Sequence, residues 1–144
     1  MQTKTRFYYG RDGKGKLVRD KLPEVIEAEG HLAKHRKIKK EELAGEIVKK
    51  FAEELEELAV ALRDGDREEK RELADLWTLL ESYRIVRGFS KDELEAEVVR
   101  KKTEKGAFDT GVVIEYVDLD SGGGDYEIWL NHFRKNSDRY LEEK

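Results

Sequence analysis

Apolar side chains recur every three or four residues from Leu43 to Leu62, through Ile47, Phe51, Leu55 and Leu58. That spacing lines them along one stripe and predicts a helix from about Glu41 to Arg63. Asp64-Gly65-Asp66 interrupts the pattern, and Leu73, Leu76, Trp77, Leu79, Leu80, Tyr83 and Val86 resume it. Asp66 is a candidate cap for this second long helix, with Glu69 completing a capping box, and Gly88 stops it after Arg87. Ser90 and Glu93 form another capping box, opening a helix to about Lys105. Upstream, Pro23 and Gly30 bracket a short helix, PEVIEAE, in the order these two residues usually take. HLAKHRKIKK (31–40), with five Lys and Arg, reads as a solvated basic connector.

Outside this block the period changes. TRFYYGRDGKGKLVR (5–19) reads as two short strands around a Gly-rich turn. Gly13 and Gly15 belong to neither a Walker spacing nor a G-x-G-x-x-G, so a turn is favoured over a phosphate loop. GVVIEYVDL (111–119), SGGGD and YEIWL (126–130) read as a β-hairpin, and the tail from Asn131 as a short final helix. The expected fold is mainly α, a helical bundle with small N-terminal and C-terminal β-hairpin elements. The 144 residues fit a single domain.

Charged residues make up 43% of the chain and hydrophobic ones 38%, a low apolar share for a monomeric globule. A core completed by a second subunit is therefore expected. The formal net charge of −4 is mixed rather than one-sided, unlike the basic balance of a nucleic-acid binder. The absence of cysteine excludes disulfides, thiolate metal sites and cysteine nucleophiles. No apolar run approaches the ~18 residues of a membrane span, and no signal-peptide core is present, so a cytoplasmic protein is expected. Scarce Asn, Gln and Met beside abundant Glu, Lys and Arg match the hyperthermophile pattern.

The carboxylates change the picture more. With about 100° per residue and Glu53 at zero, Leu58, Phe51, Leu62 and Leu55 fall at roughly 140° to 200°. Glu57 then lies near 40° and Glu54 near 100°, on the flank of the stripe, while Glu56 points away. On the next helix, Glu72 falls between Leu79 and Tyr83, inside the apolar stripe, and Asp75 at its edge. Carboxylates there are costly unless paired or metal-bound. Three resolutions stand open: neutralising Lys or Arg, although none occupies that face between Glu72 and Leu80; a loose, wet bundle; or a cation. Carboxylate-only ligands suit hard cations such as Mg²⁺, Mn²⁺ or Ca²⁺. A di-iron bundle would need Glu-x-x-His pairs, and neither helix has a histidine.

Glu53-Glu54-x-x-Glu57, followed after fourteen residues by Glu72-x-x-Asp75, resembles the E-E-x-x-E … E-x-x-D signature of all-α nucleotide pyrophosphohydrolases, the MazG-like and phosphoribosyl-ATP pyrophosphohydrolase-like proteins. LVRDKLPEVIE (17–27) is similar to the opening of the phosphoribosyl-ATP pyrophosphohydrolase-like branch. KKTEKGAFDTGVVIEYV resembles that branch's closing K-K-x-x-x-G-x-F segment and final strand. The likeness covers about residues 16–119, leaving 120–144 as a C-terminal extension. Gly106-Ala107-Phe108 departs from the family's usual Gly-Gly-Phe.

The resemblance implies Mg²⁺-dependent hydrolysis (Mn²⁺ substituting) between the α and β phosphates of a nucleoside triphosphate, giving a monophosphate and pyrophosphate. It implies metal ligation by Glu54, Glu57, Glu72 and Asp75, and catalytic roles for Glu53, Glu54 and Glu57, with Glu53 an auxiliary acid. Arg19, Lys21, Lys102 and Lys105 are candidate phosphate contacts. Self-association is implied as a homodimer or higher oligomer, with neither nucleic acid nor membrane as a partner. The runner-up substrate is phosphoribosyl-ATP, as in histidine biosynthesis. A different class is a non-catalytic helical adaptor, against which the presence of all five motif acids argues. His31, His35 and His132 are scattered and read as structural or surface residues, and Trp77 and Trp129 as packing residues, although Trp77 lies near the acids and could touch a base.

Overall fold

The computed structural model describes residues 2–65 and 68–144. Among them are five helices and no strand, so the chain is mainly helical: α1 (Leu22–Ala28), α2 (Lys40–Asp64), α3 (Glu69–Arg87), α4 (Lys91–Lys105) and α5 (Tyr126–Lys135). The chain divides into two compact units, one reaching to Arg100 and the other Lys101–Lys144. No described helix is long and apolar enough to cross a membrane.

In the first unit, α2 and α3 pack along each other as a helical hairpin. Gly65 and Gly88 end them in left-handed conformation, with φ of 64° and 75°, where an L side chain would be strained. Asp66, the expected cap of α3, lies outside the described residues. Glu68 holds the N-cap position, without a side-chain cap bond. The box opening α4 forms as the sequence predicts. The Ser90 amide donates to Glu93 Oε2 at 2.6 Å and the Glu93 amide to Ser90 Oγ at 3.1 Å.

The inner face of α2 is not centred where the helical wheel puts it. Ile47, Glu54 and Ala61, at seven-residue intervals, are buried, while Val48, Leu55 and Leu62, each one residue on, are exposed. Glu54 therefore stands in the middle of the α2–α3 contact rather than on its flank. The wheel erred because α2 carries two apolar stripes side by side, and averaging them moved the apparent centre toward the outer one. A similar outer stripe runs along α3. Leu76, Leu79, Tyr83 and Val86 are half-buried, but Leu73, Trp77 and Leu80 are exposed, Trp77 at 76%. Trp77, expected as a packing residue, instead borders an open groove of about 430 Å³ with Lys70, Leu73, Ala74 and Thr78.

Neither expected β-hairpin forms. Residues 9–15 do turn back, with the Gly13 amide bonded to Gly10 O at 3.0 Å and the Gly15 amide to Tyr9 O at 2.8 Å. No ladder extends from that turn among the described residues. In the second unit YEIWL, expected as a strand, opens α5. Tyr126, Leu130 and Phe133 form its half-buried stripe. The Trp129 and Phe133 rings stack at 6.0 Å, and Phe133 meets Tyr140 edge-on at 4.8 Å. His132 lies in the same aromatic group, consistent with a structural role. Without YEIWL as a partner, residues 112–117 stay unladdered, with Val112, Val113, Ile114, Tyr116 and Val117 exposed.

Candidate metal centre

The α2–α3 hairpin brings all five motif acids together. Oxygens of Glu53, Glu54 and Glu57 lie within 4.8 Å of one another, and so do oxygens of Glu54, Glu72 and Asp75. Glu54 belongs to both groups and is only 5% exposed, whereas Glu57 is exposed at the rim. The i, i+3 and i+4 offsets put the α2 acids on adjacent turns of one face, and those of Glu72 and Asp75 do the same on α3. Acidic groups so arranged can hold a metal ion.

Cations meet part of this charge, but none of them comes from the α3 face between Glu72 and Leu80. Lys50, one turn before the motif, reaches Glu53 Oε1 at 3.2 Å and Glu54 Oε1 at 3.1 Å. Lys16 donates to the same Glu53 oxygen at 2.6 Å. Arg19 donates to Asp75 Oδ1 at 2.5 Å and to Thr78 Oγ at 3.3 Å. Thr78 can accept because its own proton goes to Ala74 O, 2.9 Å away.

Two inaccessible oxygens, Glu54 Oε2 and Glu72 Oε2, meet no donor group, although the Glu72 carboxyl lies within hydrogen-bonding contact of Glu57 and Glu54. Buried carboxylate oxygens left unpaired are expensive, and the titration behaviour reflects it. Burial, then the neighbouring Glu57 and Glu54, push the Glu72 carboxyl up to about 7. The Lys16 ammonium, helped by Lys50, holds Glu53 below the ordinary carboxylate range against a smaller desolvation effect. Burial opposes the charged form of Lys50, yet its bonds to Glu54 and Glu53 prevail and raise its pKa. The acids thus form a gradient: a neutralised Glu53 at one side, an under-compensated Glu54 and Glu72 inside.

The other expected residues lie on neither α2 nor α3. Lys21 is exposed at the N-cap of α1 and pairs with no described acid. Lys102 and Lys105 sit in the last turn of α4, in the second unit. Lys16, Lys50 and Thr78 escaped sequence reading. Lys50 carries a legible signal, its i+3 and i+4 spacing to Glu53 and Glu54. Lys16 has none, because its role depends on how the N-terminal segment folds back onto α2. Comparison with protein-family models, curated proteins and solved structures returned no match to this chain.

Proposed function

We propose that the chain is a Mg²⁺-dependent nucleotide pyrophosphohydrolase with a MazG-like helical core. The observation that carries this reading is the pair of unpartnered, inaccessible oxygens, Glu54 Oε2 and Glu72 Oε2, inside a five-carboxylate cluster. An apolar core has no use for such atoms; a proton on Glu72 eases the cost below about pH 7, and a hard divalent cation would satisfy both oxygens once they are ionised. The all-oxygen donor set fits Mg²⁺ or Mn²⁺, and Glu54, Glu57, Glu72 and Asp75 are the residues to hold it. When bound, such an ion screens the polyphosphate from the carboxylates, polarises a phosphoryl group and acidifies water.

The chain's own groups set up the rest. Lys50 fixes the Glu53 and Glu54 rotamers from one turn away, and the α2–α3 contact holds Glu54 and Glu72 face to face. Arg19 orients Asp75 through a charge-assisted bond and Thr78 braces that arginine. Glu53, with one oxygen shared by two ammoniums, is held in place by Lys16 and Lys50 and keeps the auxiliary-acid role the resemblance implies. In the reaction, water adds to the α-phosphorus and the bond from that phosphorus to the bridging oxygen breaks. A nucleoside monophosphate and pyrophosphate leave, with the proton of water released to solvent.

The test is pyrophosphate release from a panel of nucleoside triphosphates and phosphoribosyl-ATP, with Mg²⁺ and with EDTA. Release that requires Mg²⁺ supports the reading, and the preferred substrate separates the triphosphate and phosphoribosyl-ATP branches. No release from any nucleotide in Mg²⁺ overturns it in favour of a helical adaptor.

A further inference from the structure

Lys16 does more than balance Glu53, because Lys50 already bonds the same oxygen. Its position is also built. Gly10 has φ of 85°, and a Cβ there would come within 3.0 Å of both Asp12 Oδ1 and Gly15 O, so only glycine lets the 9–15 turn close this tightly. The Lys14 amide bonds Asp12 Oδ1 at 2.9 Å, bracing the same turn. The chain leaving it places the Lys16 ammonium 5.8 Å from the centroid of the Tyr9 ring. Three residues on, Arg19 reaches Asp75. Three extended residues span up to ~10 Å, enough to set one cation at each end of the acid cluster. Glu54, common to both acid groups, stands between those ends with its Oε2 unpartnered.

We propose that Lys16 and Arg19 form a two-point clamp for the diphosphate portion of the substrate, with Lys16 a substrate-binding residue in its own right. This rests on the pyrophosphohydrolase reading and extends it to a residue outside the acidic motif. An ammonium held by one carboxylate and one ring face, on a segment without regular secondary structure, can exchange its carboxylate contact for a phosphate oxygen without disturbing α2. Lys50 cannot do so as readily, being tied to two carboxylates and less exposed.

The experiment titrates wild type, Lys16→Met and Lys16→Arg with inorganic pyrophosphate by calorimetry, in Mg²⁺ and in EDTA. Thermal melts with and without Mg²⁺ accompany each protein. Loss of one charge-assisted phosphate contact should weaken pyrophosphate binding by about 10-fold in Lys16→Met. Lys16→Arg should recover most of that loss, and the rise in melting temperature on adding Mg²⁺ should be the same in all three proteins. Unchanged pyrophosphate affinity in Lys16→Met, or no pyrophosphate binding by wild type, overturns the clamp. So does a Lys16→Met protein that fails to fold or loses its Mg²⁺ response, since Lys16 would then be structural. Pyrophosphate binding that depends on Lys16 but not on Mg²⁺ would keep the clamp and instead discard the metal-dependent hydrolase.

Discussion

At the scale of single residues, the question is which acids carry the chemistry and which are solvated charge. Glu56 and Glu57 are neighbours in sequence and both exposed, yet only Glu57 joins the cluster. Glu56 meets Arg11 at 3.7 Å in an exposed pair, an interaction worth little. Glu57→Gln or Glu72→Gln should lower pyrophosphate release by at least ~10²-fold, the scale of losing one preorganised electrostatic contact. Glu56→Gln should be nearly silent, and comparable losses at Glu56 and Glu57 in a steady-state assay would dismantle the site. Helical spacing made these acids legible from sequence, because i, i+3 and i+4 offsets translate directly into a shared face. The depth of Glu54 was not legible, since it depends on which of two adjacent stripes meets α3.

Those two stripes are the problem posed at the scale of elements. Val48, Leu55 and Leu62 on α2, with Leu73, Trp77 and Leu80 on α3, leave the hairpin with an apolar outer side. Contiguous exposed apolar surface of this kind marks an association face. We propose that a second copy covers it, which fits the low apolar share of the sequence and the low count of buried side chains. Light scattering at micromolar concentration should then show at least a dimer. Leu55→Lys combined with Trp77→Lys should shift the protein to monomer, and a stable folded wild-type monomer would refute the proposal. The helices were readable because long periodic runs with caps leave little ambiguity. YEIWL was misread because a five-residue apolar run has no resolvable period by itself. Extended to Lys135, its Tyr126, Leu130 and Phe133 fall on one helical face, and the aromatic group with Tyr140 favours that face.

For the whole molecule, the under-compensated acids make stability depend on pH and on metal together. The Glu72 carboxyl titrates near 7 in the folded chain and at an ordinary 4.5 when unfolded. Between about 4.5 and 7 the folded state holds a proton that the unfolded state has already lost, so this stabilisation is full below about 4.5 and declines across that window. That contribution fades as pH rises through about 7. Glu53 shifts the other way, downward through Lys16, so its stabilisation is present above 4.5 and lost only in more acid solution. The two effects occupy separate pH windows. In EDTA the melting temperature should therefore fall between pH 5 and 7.5. Mg²⁺ binds the ionised carboxylate and competes with the proton, so its stabilisation should grow over the same interval and widen the gap between the two curves. Glu72→Gln keeps every other ionisable group and removes this one, so it should flatten the EDTA curve and shrink the Mg²⁺ response. Melting curves unaffected by saturating Mg²⁺ at pH 7.5 would remove the metal from this site, because two inaccessible, unpaired carboxylate oxygens cannot acquire a divalent ligand without registering it in the stability of the fold.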